Sequence, residues 1–286
     1  MSDPEQVIPF ERLPERFAQS LDDPDREVAV PRPAATVVVA RDGTPGLEVL
    51  LLRRNRSAGF VPGAYVFPGG RVDASDADPI LVARTDDLTE EQAARRLEIP
   101  EGDPSAVAYF LAAVRETFEE TGLLIARTPE GEPAPGADDD ARVEELRTRL
   151  LNQEVAFGAV LEELDVKIDG RSMEYVAHWI TPKAEPRRYD TRFFVAKVPG
   201  TRRESVYREE ITESLWIPPG EALDRNGKGT LPMVFPTLKT LEELTEFAST
   251  DEVLEHYGAR RIPSILPELV KTPTGVGIRV PESKEE

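Results

Sequence analysis

The chain has no cysteine. Disulfides, thiolate nucleophiles and zinc–thiolate centres are therefore excluded. Histidine is almost as scarce, His178 and His256 being the only two. A bound metal must then be held mainly by carboxylates, and oxygen donors favour hard cations such as Mg2+ or Mn2+. Basic charge is in deficit, with 35 Lys and Arg against 54 Asp and Glu and a net charge of −19. Nucleic-acid binding needs a basic footprint, so that class of partner is excluded. A small anionic substrate is not, because a local arginine cluster or a cation can reverse the field. Long apolar runs are missing as well. Stretches such as Thr36–Ala40 and Val49–Leu52 are too short to span a bilayer. The N-terminal residues are acidic and lack a charged-then-apolar leader pattern, and Ser283–Glu286 is no peroxisomal address. Cytoplasmic residence without membrane attachment is the expectation.

What is present suffices for a core: 286 residues, 40% of them hydrophobic. Residues 35–41 and 47–53 are rich in Val and Leu and flank the turn Arg41–Gly46, so they read as a hairpin. A short strand is expected at Tyr65–Phe67. Residues 73–103 are acidic and carry one helix, with capping-box spacing at Thr89–Gln92. A strong helix follows from Pro104 to Thr121, with Asp103 as N-cap and Gly122 as the left-handed residue past its end. Leu123–Ala126 reads as a strand. Further helices are expected near 139–152, 153–163, 237–247 and 250–257, strands near 175–181, 189–198 and 210–217, and then a proline-broken tail. This order suggests a mixed sheet covered by helices.

The helix ending at Thr121 carries the chemistry. At about 100° per residue, Val107, Phe110, Leu111, Val114 and Phe118 share one arc, the core face. Glu116, Glu119 and Glu120 share the opposite arc, with Ala112 and Ala113 leaving room above them. Carboxylates at such spacing repel one another, and a divalent cation compensates. Arg115 can reach Glu119 at the four-residue spacing. On this helix alone a solvated face accounts equally well for the glutamates. The turn Phe67–Gly70 decides between the two, because glycines let backbone approach a ligand without a Cβ in the way.

Together, Gly70, Arg115, Glu116, Glu119, Glu120, Gly122 and Leu123 resemble the Nudix box, G-x5-E-x7-R-E-U-x-E-E-x-G-U with U apolar. Asp76 stands where the first Glu is usual, and Thr117 where an aliphatic residue is usual. An uninterrupted box would place its Arg at position 84; it stands 31 positions later, at 115. A split box of this kind is similar to the branch that contains peroxisomal coenzyme A diphosphatases. So are Phe60–Gly70, Arg188–Phe194 and Glu213–Pro219, and the similarity spans 33–245. An Arg that a related coenzyme A signature places before the glycine loop has no exact match; Arg56 lies nearby, but position 59 is Gly59.

The resemblance implies an α/β fold: a Nudix α/β/α sandwich with a mixed sheet, an insertion in the box and a helical C-terminal extension. It divides the chain into an N-terminal arm (1–31), a hydrolase domain (32–245, insertion 73–103) and a C-terminal extension and tail (246–286). The activity implied is metal-dependent cleavage of a diphosphate in a nucleoside-diphosphate derivative, coenzyme A or an acyl derivative among them. Other substrates are dinucleotides, sugar nucleotides and oxidised nucleotides. A non-catalytic nucleotide sensor would show damaged carboxylates, and all three are intact. Gly70, Glu116, Glu119 and Glu120 are the implied Mg2+ or Mn2+ ligands. Glu116, Glu119, Glu120, Arg115 and a loop carboxylate, Glu210, are the implied catalytic set. Arg53, Arg54, Arg56 and Arg71 are candidates for substrate phosphates, since guanidinium forks suit phosphate oxygens. His178 reads as a hydrogen-bonding strand residue, and Tyr189 and Phe193 as apolar packing. The partner is a small-molecule nucleotide substrate, with a homodimer left open. The insertion, flanking both halves of the box, is expected to form a partly helical flap near the substrate.

Overall fold

The computed structural model describes residues 4–12, 21, 27–44, 46–55, 63–100, 102, 104–138, 140–207 and 211–281. Strand β1 (Gln6–Pro9) precedes the long hairpin of β2 (Arg32–Asp42) and β3 (Leu47–Arg54), then β4 (Tyr65–Val66) and β5 (Gly69–Arg71). The insertion contributes α1 (Pro79–Val82), β6 (Thr85–Asp86) and α2 (Glu90–Leu97). The box helix α3 (Ala106–Thr121) follows, then β7 (Ala126–Arg127), α4 (Ala141–Leu151), α5 (Phe157–Glu163) and β8 (Lys167–Asp169). Strands β9 (Met173–Ile180), β10 (Tyr189–Lys197) and β11 (Ile211–Ile217) complete the sheet. Helices α6 (Pro219–Gly227), α7 (Phe235–Leu244) and α8 (Thr250–Gly258) and strands β12 (Ser264–Ile265), β13 (Glu268–Thr272) and β14 (Gly275–Arg279) close the chain.

The main sheet runs β11-β3-β2-β10-β9-β12 and is mixed, β10 being parallel to β2 and antiparallel to β9. Its strands are apolar on both faces, as a sheet covered on both sides requires. Along β2, Ala35, Val37 and Val39 enter one core, while Val38 and Ala40 enter the other. Leu50 and Leu52 alternate with Val49 and Leu51 in the same way on β3. Helix α3 and the insertion cover the first face; α6, α7 and α8 supply apolar residues to the second.

The hairpin splays open towards the site. Strand β3 pairs with β2 only at Ala40–Asp42, and β5 takes β2's edge at Ala34–Thr36. The glycine turn is thereby built into the middle of the sheet.

Several expectations change. The box helix starts at Ala106, not Pro104, with Ser105 at the N-cap position. Its first amides are met by Glu90 of α2, which accepts from Ala106 N at 2.7 Å and Val107 N at 3.0 Å. Of Leu123–Ala126 only Ala126 enters a strand, part of the small sheet β6-β8-β7. The proline-broken tail forms strands: β14 pairs with β13 on one side and with β1 of the arm on the other. The insertion is partly helical, as expected, and it is also built into the body. Its Leu81, Leu88, Ala93 and Leu97 are buried in the same core as α3. Among the described residues no helix is long and apolar enough to cross a membrane.

Candidate active site

Arg115 organises the site. Its Nε and Nη2 donate to the two carboxylate oxygens of Asp76 at 2.7 and 3.0 Å, a bidentate pair. The Asp76 side chain is 0% exposed and that of Arg115 9%. Nη2 also donates to the Arg71 carbonyl at 3.0 Å, tying the end of β5 to the helix. Nη1 donates to Glu116 at 2.9 Å and to Glu119 at 3.3 Å. Burial works against the Arg115 charge, but the hydrogen bonds to Asp76 and the fields of Glu116, Asp76 and Glu119 outweigh it, and the guanidinium is held charged.

The three helix carboxylates lie against the glycine strand. Glu120 is buried and accepts from Gly69 N at 3.1 Å. Gly70 packs on Glu116 so closely that a Cβ there would fall inside the carboxylate. Gly69 has a φ of +154°, and its Cβ would collide with the Ala35 carbonyl. Gly69 is thus required sterically, because the clash is with backbone, while the missing Cβ of Gly70 lets the movable Glu116 carboxylate lie against the strand. The glutamate arc is not a solvated face: Glu116 and Glu119 side chains are only 17% and 23% exposed. The space expected above them is filled too, Ala112 and Ala113 being wholly buried.

Desolvation sets the electrostatics. Burial pushes Glu116 up to about 7; Arg115 pulls it down, and the Glu119 and Asp76 charges add to the rise. Burial raises Glu119 as well, against the pull of Arg115.

The C-terminal turn of α3 is fixed carbonyl by carbonyl, so its orphan acceptors are satisfied. Gly122, at φ +71°, donates its amide to Phe118 O. Arg147 of α4 donates Nε and Nη2 to Glu119 O at 3.0 and 2.8 Å. Tyr207 N and Ser205 N donate to Glu120 O and Thr121 O, and Ala137 N to Gly122 O. Thr117 is buried and donates Oγ1 to Ala113 O at 2.8 Å, which accommodates a hydroxyl where an aliphatic residue is usual.

The arginine candidates separate. Strand alternation puts Arg54 on the face of Leu50 and Leu52, that of the box helix. Its Nε is buried and, among the described residues, has no hydrogen-bond partner. Arg53 points to the other face, where it meets Glu213 at 3.3 Å and lies over the ring of Tyr65. Tyr65 donates its hydroxyl to the same Glu213 oxygen at 2.7 Å. Alternation directs the exposed Arg71 side chain to the face opposite Gly70, so its carbonyl is what reaches the site. Arg56 and Glu210 lie outside the described residues. His178 Nε2 meets Asp190 at 2.5 Å, the role expected for it.

A model of the NUDT19 Nudix domain matches residues 31–244. The chain belongs to the NUDT19 Nudix-domain family. It is a Nudix hydrolase. It is 29% identical to the acyl-coenzyme A diphosphatase NUDT19 of Gallus gallus, over 78% of this chain and 70% of that one. The protein of the same name from Homo sapiens is 28% identical, over 81% and 70%. Among solved structures, a Nudix hydrolase from Alicyclobacillus acidocaldarius is 29% identical, with a TM-score of 0.64 over 80% of this chain and 97% of that one.

Nudix hydrolases generally use divalent metals. Among the described residues no three His, Asp or Glu side chains already converge as a cage. Glu116 and Glu119 are turned onto Arg115, and Glu120 onto the Gly69 amide. The donor set nevertheless fits an oxygen-preferring cation. Asp76 alone gives Arg115 two hydrogen bonds, so Glu116 and Glu119 can rotate away without stranding the guanidinium. Two residues that support this Nudix site were given no role from the sequence. Asp76 carried a signal, being acidic at the sixth position after Gly70. Arg147 carried none, since nothing local distinguishes it from the other arginines of its helix.

Proposed function

We propose that this Nudix hydrolase cleaves the diphosphate of coenzyme A or an acyl-coenzyme A, with Mg2+ or Mn2+ held by Glu116, Glu119, Glu120 and the Gly70 carbonyl. The observation that carries the reading is the set of desolvated carboxylates packed against the glycine strand, where Gly69 leaves no room for a Cβ and Gly70 lies against the Glu116 carboxylate. The substrate class rests on the names of the relatives and on the split box. A cation so held lowers the pKa of a bound water and neutralises charge on the diphosphate oxygens.

The protein's own groups do the rest. Arg115, locked by Asp76, positions Glu116 and Glu119. Glu116, brought near neutrality by burial, or Glu210 takes the proton of the attacking water. The water oxygen bonds to phosphorus as the bridging P–O bond breaks, giving 4′-phosphopantetheine and 3′,5′-ADP. Arg54, with Arg56, is matched to the extra 3′-phosphate.

A comparison of kcat/KM for coenzyme A, dephospho-coenzyme A, NADH and ADP-ribose, with Mg2+ or Mn2+, tests the substrate. Coenzyme A should lead. Dephospho-coenzyme A should fall behind by the worth of a charge-assisted contact, roughly 1.5–3 kcal/mol. A preference for NADH or ADP-ribose overturns the assignment and leaves the hydrolase chemistry standing.

A further inference from the structure

The geometry points to a second anion site, at the outer edge of β9, that binds a small molecule bearing a di- or polyphosphate group. A cleft of about 380 Å³ opens there, lined by Arg95 and Arg96 of α2, Glu174 and Tyr175 of β9, and Arg260 and Arg261 just past α8. It lies three strands from the glycine strand β5, about 14 Å at the least, so it is separate from the box carboxylates.

Four guanidinium groups share this cleft in a chain whose net charge is −19. Glu98 and Glu174, also in its wall, offset two of them. Arg261 is bonded to Glu98 at 2.7 Å. Arg96 lies 3.8 Å from Glu174 and donates to the Gly170 carbonyl at 2.9 Å. The other two are under-compensated. Among the described residues Arg95 meets only the strongly exposed Glu91 at 3.3 Å, a contact worth little in water. Among the described residues Arg260 meets no carboxylate; its guanidinium faces the imidazole of His256 at 3.4 Å and the ring of Tyr257 at 5.9 Å. Planar guanidinium forks in surplus, above a floor that includes Tyr175 and Tyr257, match phosphate oxygens in geometry and charge. The cleft volume falls in the range of small-ligand sites, about 300–1,000 Å³.

Calorimetric titration of inorganic pyrophosphate into the full chain tests this, with EDTA present so that no cation draws the probe to the box carboxylates. One equivalent should bind. Arg260→Ala with Arg261→Ala should weaken the affinity at least tenfold, and Arg95→Ala alone should weaken it in the same direction. Arg95 is an exposed helix position whose loss leaves the core untouched. Arg142→Ala with Arg149→Ala removes the same charge from α4 and should leave binding unchanged. Absence of binding up to about 1 mM overturns the proposal. So does an affinity that these cleft variants leave intact, or one that only Arg54→Ala abolishes.

Discussion

Two of the clusters that join arginine to carboxylates in this molecule are balanced in opposite ways. Around Arg115 stand Asp76, Glu116 and Glu119, with Glu120 beside them on the Gly69 amide. On β10, where Arg192 lies over the Tyr109 ring of the same helix α3, Asp190 alone receives both His178, at 2.5 Å, and Arg192, at 3.0 Å. Burial raises Glu116 to about 7 despite the pull of Arg115, and the Glu119 and Asp76 charges add to the rise. Burial also works to raise Asp190, yet His178 and Arg192 outweigh it and hold that carboxyl below its usual value. A carboxylate surplus that persists after the cations of the described residues are counted marks a place for an outside cation. A balanced cluster marks structure.

The largest expected effect separates the two clusters by activity. Glu119→Gln or Glu120→Gln should lower turnover by at least about a hundredfold, the scale of losing a transition-state contact of some 3 kcal/mol, with the fold intact. Steady-state rates beside circular dichroism and melting curves would show it. Full activity in both variants, or in excess chelator, would remove the box helix from the chemistry. Next comes stability. Asp76→Ala strips the buried bidentate partner from Arg115 and should cost about 3 kcal/mol in urea unfolding. A loss under about 1 kcal/mol would mean that Glu116 and Glu119 can replace Asp76, and the lock would lose its meaning.

The legible part of this site was periodic. The apolar arc of α3, the glutamate arc and the left-handed Gly122 all follow from local spacing, and the helix ends where the glycine says. What failed was closure over distance. The helix start depends on Glu90, 16 residues upstream, whose carboxylate caps two amides that Asp103 was expected to serve. The Glu119 carbonyl depends on Arg147, 28 residues downstream. Ala112 and Ala113 looked open because the wheel shows one helix and not what packs on it. The insertion read as a flap because it flanks both halves of the box, and its four core residues are spread too thinly to announce their burial. Arg53 and Arg54 were separable from the start: Leu50 and Leu52 alternate with Leu51, so adjacent arginines beyond them must diverge.

A pH series sharpens the contrast further. The folded Glu116 value of about 7 lies above the ordinary 4.5, so between these limits the folded chain holds a proton that the unfolded chain has released. Metal-free stability should therefore fall as pH rises from about 4.5 through 7. Glu116→Gln carries no such penalty. In chelator the variant and the parent should match near pH 4, below the ordinary value, and the variant should be the more stable by about 3 kcal/mol at pH 8. Added Mg2+ should recover the parent more than the variant. A gap independent of pH would show that the Glu116 carboxylate is not strained by burial.

Asp190→Asn is the smallest test and the one that most directly opposes the clusters. The substitution keeps an oxygen for Arg192 and His178 but removes the charge. Because the folded pKa of Asp190 is depressed, its stabilisation is complete above the ordinary value of 3.8 and is lost as pH falls through the lower folded value. At pH 7 the variant should be less stable by about 1 kcal/mol, with kcat within about threefold of the parent. Urea titrations of both proteins from pH 7 down to about 3 should show the two curves converging at the acid end. Curves that stay parallel would place the cost in lost packing and not in charge. A collapse of kcat with stability unchanged would make this cluster a working part of the enzyme, and charge balance would no longer distinguish structure from site.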